Sequence, residues 1–147
     1  MESLTLPGNL HSLDPLRVCV RSAAGSAGLE EIAVYRLVLA VDEVATNIVT
    51  HGYDEAGLSG AIKVWSEMDS DALRIYLEDT GAPYDPAEVR TVDPDQPLEN
   101  RVEGGLGVFL AGHCVDDLQY INSGGRNRHT FVVRRGSGSR SNPAPRV

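Results

Sequence analysis

At 147 residues, with 41% hydrophobic and 23% charged residues, the chain has the size and composition of one globular domain, which excludes a disordered polymer. Its formal charge of -8 leaves no cationic surplus to displace counterions from a nucleic acid, so an anionic ligand would have to be met by backbone amides or a metal. No apolar run approaches the roughly 20 residues of a membrane span, and Met1 to Val20 lacks the basic start and apolar stretch of a secretory signal, so a cytoplasmic protein is expected.

Glu2 to Leu6 alternates weakly and is stopped by Pro7-Gly8, which predicts a short first strand. Ser12, followed by Pro15 in a first turn, predicts an N-cap, and Leu13, Leu16, Val20 and Ala23 recur at helical spacing as far as about Ala27. A second helix is predicted from about Leu29 to Thr50, with Val34, Leu37, Val41, Val44, Ala45 and Ile48 on one face and His51-Gly52 at its close. AIKVWSEM and ALRIYLED alternate at period two around Asp69, Ser70 and Asp71, the pattern of an antiparallel hairpin. Residues 80 to 106 are rich in Gly and Pro and poor in apolar residues, long for a connection without a task. A short helix from Leu106 to about Val115 follows, then the strands DLQYIN and HTFVVRR joined across Ser123-Gly124-Gly125-Arg126. This order predicts an α+β fold, a sheet covered on one face by helices, over a single domain of residues 1–135. Residues 136–147 are mostly Gly, Ser, Pro, Asn and Arg and are expected to form a disordered tail. Cys19 and Cys114 form neither a CxxC nor a zinc-type spacing, and His113 lies about 100° around a helix from Cys114, so reduced packing thiols are expected.

Three segments carry more polar chemistry than folding requires. In VDEVATNIVTHGY, Glu43, Asn47 and His51 recur every fourth residue and fall in one stripe away from the apolar face. Charged and amide residues on such a stripe usually make a solvated surface, but Leu39 and Ala40 share it. In ALRIYLEDTGAPYDP a strand ends in Asp79-Thr80-Gly81; the pattern is that of a turn, and also that of a carboxylate placed to accept from an exocyclic amino group beside a glycine over which a flat ring can lie. In EGGLGVFLAG, Gly104, Gly105 and Gly107 precede a helix, so the motif is either a hinge and helix start or a cluster of backbone amides suited to an anion. It is neither the dinucleotide fingerprint nor a P-loop, since Leu110 occupies the third position after Gly107 and no G-K-[ST] occurs.

Taken in order, Glu43-x-x-x-Asn47, Asp79-x-Gly81 and Gly104-Gly105-Leu106-Gly107 resemble the three boxes of the GHKL ATPases, and the fuller pattern is similar to the small anti-sigma-factor serine kinases of bacteria. The resemblance spans about residues 30 to 134. It implies the Bergerat fold, a two-layer sandwich with a mostly antiparallel mixed sheet, holding ATP beneath a lid at about residues 82–106. By resemblance, Asn47 would ligate Mg²⁺, Glu43 would be the general base, Asp79 and Gly81 would meet the adenine, and Gly104, Gly105, Leu106 and Gly107 the phosphates. Thr130 resembles the family threonine that supports the Asp, or is a buried strand threonine. His51 would touch phosphate or cap the helix. The chain departs from the family at Ile48, where Ala is common, and in the light, uncharged Ala111-Gly112-His113-Cys114, changes that bear on partner contacts and remove no ligand.

The function implied is an ATP-dependent protein kinase that phosphorylates a Ser or Thr on an anti-sigma-factor antagonist, sequesters a sigma factor and forms a homodimer. The alternative is a binding module in which ATP orders the lid and partner surface without turnover.

Overall fold

The structure, a computed structural model, describes residues 3–83 and 112–136. Five strands form one sheet in the order β1-β2-β3-β5-β4: β1 (Leu4–Pro7), β2 (Ala61–Met68), β3 (Ala72–Asp79), β4 (Asp117–Ser123) and β5 (Arg126–Arg134). Every pairing among the described residues is antiparallel, where a mostly antiparallel mixed sheet is expected. Two helices, α1 (Leu13–Ser26) and α2 (Glu31–Asn47), complete the α+β arrangement.

The period of each element decides which side chains meet. From α1, Leu16, Val20 and Ala24 are buried, and from α2, Leu37, Ala40, Val41, Val44 and Ala45, a helical repeat on one face of each. From the strands come Ile62 and Val64, Leu73, Ile75 and Leu77, Leu118, Phe131 and Val133, which alternate along each strand and share a core cluster with the helical residues. The register sets Ile75 opposite Phe131 and Leu77 opposite His129, and carries the same face onward to Asp79 opposite Asn127. The core-facing row of the sheet therefore ends in two buried polar side chains.

Chain ends and turns follow local chemistry. β1 runs through Pro7, tolerated because β1 lies at the sheet edge, so the first strand ends one residue later than its Pro-Gly stop predicts. Ser12 occupies the N-cap of α1, but its hydroxyl donates to the Pro7 carbonyl and accepts from no amide of the helix. Asp69 makes the β2–β3 turn by accepting from the amides of Asp71 and Ala72, both at 2.8 Å. In the β4–β5 turn Gly124 and Gly125 have φ of 60° and 78°, the left-handed pair that a two-residue hairpin demands.

The helical path does not stop at Asn47. It continues as a π-helical segment, Ile48–Asp54, marked by amide bonds from Glu55 to the Thr50 carbonyl and from Leu58 to the Tyr53 carbonyl, both at 2.9 Å. The expected close at His51-Gly52 is replaced by this wider turn. Of the short helix expected from Leu106 to Val115, 112–114 are helical and the part before residue 112 lies outside the described residues.

Candidate nucleotide site

The polar stripe on α2 is not uniformly solvated. Glu43 is partly buried and makes no hydrogen bond or ion pair among the described residues. Asn47 is 4% exposed, and its Nδ2 is enclosed without a hydrogen-bond partner. A buried amide left unsatisfied costs on the order of 1–3 kcal/mol, so folding alone does not account for it. His51 lies in the π segment, where its Nδ1 is 2.7 Å from Glu55 Oε1.

At the end of β3, Asp79 is 3% exposed. Its Oδ1 accepts from the Gly81 amide at 2.8 Å and from Asn127 Nδ2 at 3.0 Å, while Oδ2 is buried with no partner. Burial raises the carboxyl above its ordinary range, the two donors pull it back, and neighbouring Glu78 pushes it up again. The carboxylate is thus half satisfied, with one oxygen held and one enclosed without a partner among the described residues.

These two segments join through backbone. The Ala82 amide donates to the Gly52 carbonyl at 2.9 Å, and a Cβ placed on Gly81 would lie 2.7 Å from Gly52 O and 2.8 Å from its carbonyl carbon. Gly81 is therefore required by the approach of the π segment, where the sequence suggested the approach of a planar ligand. Tyr53, 1% exposed, reinforces the joint: its hydroxyl donates to the Ala61 carbonyl at 2.7 Å and accepts from the Thr80 amide at 3.0 Å. The π segment thus braces both sides of the Asp79-Thr80-Gly81 turn.

Thr130 needs correction. The register pairs it with Tyr76 and Gln119, whereas Asp79 pairs with Asn127, and side chains alternate along a strand. Thr130 consequently lies on the face of the sheet opposite Asp79 and cannot support that carboxylate, although it is a buried strand threonine at 8% exposure. The β5 residues on the Asp79 face that lie nearest to it in register are Asn127 and His129. Asn127 was not singled out by sequence reasoning; a polar R-N-R stretch beside a Gly-Gly turn reads as part of the turn, and the partner that matters is far away in the chain.

Gly104, Gly105, Leu106 and Gly107, the expected phosphate-binding turn, and 84–106 of the expected lid lie outside the described residues, as does the expected tail from residue 137. A cavity of about 650 Å³, lined by Ala27 to Glu30, Ser70, Arg134 and Arg135, sits at the other end of β3 from Asp79 and contains none of the candidate residues. Burial pushes the Cys19 thiol up, as suits a packing residue.

The family model of the histidine kinase-like ATPase domain matches residues 6–133. The chain belongs to that family. Its ligand is accordingly ATP, and among the described residues Asn47 and Asp79 are polar groups buried without complete partners. Curated relatives include the serine-protein kinase RsbW of Halalkalibacterium halodurans, 28% identical over 126 residues, covering 83% of this chain and 76% of that protein. The RsbW of Staphylococcus aureus strain MRSA252 is 25% identical over the same share of this chain and 79% of its own. Among solved structures, the RsbU and RsbW domains of Rv1364c from Mycobacterium tuberculosis align with a TM-score of 0.62 at 18% identity, over 91% of this chain. This chain spans only 32% of that protein, and the likeness shows the fold. The GHKL resemblance and the two-layer α+β fold expected from the three boxes agree with these matches, and the RsbW relatives agree with a protein kinase of the anti-sigma-factor type.

Proposed function

We propose that the protein binds Mg·ATP between α2 and the end of β3 and transfers the γ-phosphoryl group to a Ser or Thr of an anti-sigma-factor antagonist in the cytoplasm. In the same reading it sequesters a sigma factor and works as a homodimer. The observation that supports it best is the pair of enclosed, unsatisfied polar atoms, Asn47 Nδ2 and Asp79 Oδ2, on two segments that meet through Gly52 and Gly81. An unpaired buried group is costly; an acceptor such as a phosphate oxygen would pair the Asn47 Nδ2 donor and the adenine amino group the Asp79 Oδ2 acceptor, recovering the cost on binding and leaving the Asn47 oxygen for the metal.

Each residue has a task suited to its surroundings. Asp79 Oδ2 accepts from the adenine amino group, a donor that guanine replaces with a keto oxygen. Glu43, one helical turn before Asn47 and without an ion-pair partner among the described residues, takes the proton from the attacking hydroxyl as general base. The glycines at 104, 105 and 107 offer amides to the phosphates, as an acidic chain needs.

Magnesium fits this donor set. No group of three or more His, Cys, Asp and Glu is arranged for a metal among the described residues, so the protein alone does not build a cage. A hard ion of this kind needs only one or two protein oxygens, and the Asn47 carboxamide oxygen would supply one. When bound, the ion neutralises charge on the phosphates.

Two measurements test the reading. Mg·ATP at a hundredfold above its Kd should stabilise the protein by about 2.7 kcal/mol in a thermal melt, and Mg·GTP at the same concentration should not. Glu43→Ala should keep the ATP shift while lowering transfer of labelled phosphate to the antagonist by about 10²- to 10⁴-fold. Equal shifts with both nucleotides would remove Asp79 as the base reader, and undiminished transfer would remove Glu43 as the base.

A further inference from the structure

Asn127 has every hydrogen-bonding capacity used, although it is 1% exposed and carries no charge. Its Oδ1 accepts from Tyr120 Oη at 2.8 Å and Asn122 Nδ2 at 2.7 Å, while its Nδ2 donates to Asp79 Oδ1 at 3.0 Å and to the Gly81 carbonyl at 2.9 Å. An amide oxygen accepts two bonds and an amide nitrogen donates two, so the side chain is saturated. The Asp79 carboxylate and the Gly81 carbonyl can only accept, so they fix the amide nitrogen toward themselves, and Tyr120 and Asn122 of β4 hold the oxygen at the other end.

The consequence falls on Asp79. Of its two oxygens, the one toward Asn127 and the Gly81 amide is committed, and the other is left unpartnered. Asn127 also holds the Gly81 carbonyl, so one amide fixes both the carboxylate and the turn beside it.

We propose that Asn127 is a positioning residue for nucleotide recognition: clamped by Tyr120 and Asn122, it locks Asp79 Oδ1 and the Gly81 carbonyl so that Asp79 Oδ2 alone faces the base. The proposal rests on Asp79 as the base-reading carboxylate. It adds a control on specificity that neither the Asp-x-Gly pattern nor the glycine turn contains, one carried by a strand residue 48 positions downstream.

The experiment compares ATP and GTP affinity, over a range of pH, for wild type, Asp79→Asn, Asn127→Ala and Asn127→Thr. Asn127→Ala should weaken ATP by about 10- to 100-fold, the loss of a bond to a charged group, with GTP little changed, so the ATP/GTP ratio falls. Asn127→Thr, which keeps one donor, should recover part of the ratio. Asn127 holds the Asp79 carboxyl down, so its loss should move the acid limb of ATP binding to higher pH, a change that general loosening would not produce. Glu78 beside Asp79, His129 and Tyr120 on the same sheet face, and Tyr53 and His51 of the π segment are common to all these proteins, so the difference between their profiles reports Asp79.

If Asn127→Ala does not fold, Tyr120→Phe, which frees one of the two donors that orient the amide, is read by the same ratio and limb. An unchanged ratio and acid limb in Asn127→Ala, or in Tyr120→Phe where the alanine does not fold, overturns the proposal if Asp79→Asn still abolishes ATP preference. Loss of preference in neither Asp79→Asn nor Asn127→Ala points instead to failure of the base-reading assignment itself.

Discussion

At Asp79, folding and binding place opposite demands on one carboxyl. Removing it from water favours the protonated form, and burial is the largest cause of its raised pKa. A group whose folded pKa is raised contributes stability in full below its unfolded pKa and loses that contribution as pH rises through the folded value. The ligand-free protein should therefore become less stable as pH climbs through and above the usual carboxylate range, by the share that Asp79 supplies. Asp79→Asn removes the ionisation and should flatten that slope in urea titrations at several pH values, while ATP affinity falls about 10- to 100-fold. A slope identical to wild type would mean that other carboxylates set it. At this scale, what was legible in the chain was residue type at a strand end. Asp79 could be singled out because the strand before it alternates so cleanly, but Asn127 could not, because its meaning depends on a cross-strand partner.

Among the elements, the π segment between α2 and β2 is the feature least visible in the amino acids. Nothing in IVTHGYD marks a widened turn; the register of α2 is read correctly up to Asn47, and beyond it the tertiary contact with Gly81 and Ala82 prevails over local preference. The hairpin β2–β3, by contrast, was legible to its ends, since AIKVWSEM and ALRIYLED coincide with Ala61–Met68 and Ala72–Asp79. β5 begins at Arg126, earlier than its apolar run suggests, because Arg126, Asn127 and Arg128 pair in register although they lack the β-branched character that signals a strand. At this scale we predict that Gly81→Ala, forced against the Gly52 backbone at 2.7 Å, separates the two segments. The cost should be about 1–3 kcal/mol of stability with a disproportionate loss of ATP binding, measured by melting and nucleotide titration on the same sample. A variant that melts lower but binds ATP as wild type would show that the joint is structural alone.

For the molecule as a whole, stability resides in the layer between helices and sheet, and the proposed base-reading corner lies at one end of that layer. Phe131 is fully buried at the centre of β5, beside Ile75 and Leu118. Phe131→Ala should cost about 3–5 kcal/mol, seen as a lower urea midpoint with the same slope. That is a large part of the roughly 5–15 kcal/mol that domains of this kind hold in total. The opposite face of the sheet is organised differently: Trp65 and Tyr76 stack at 4.9 Å, and the Arg128 guanidinium lies 5.1 Å over Trp65 while it pairs with Glu78. Thr130 belongs to that second face, which is why a strand position that looks correct by sequence offset is wrong by one residue in orientation.

The direct approach of Gly81 to Gly52 has a consequence for redesign. Whoever wishes to retune this protein toward another nucleobase will find that the corner proposed to read the base and the helix proposed to carry the general base share a hinge pin with no spare room. Enlarging either side of that pin disturbs the other, so a swap of nucleotide preference must be sought in side chains such as Asn127 that touch the corner from outside it.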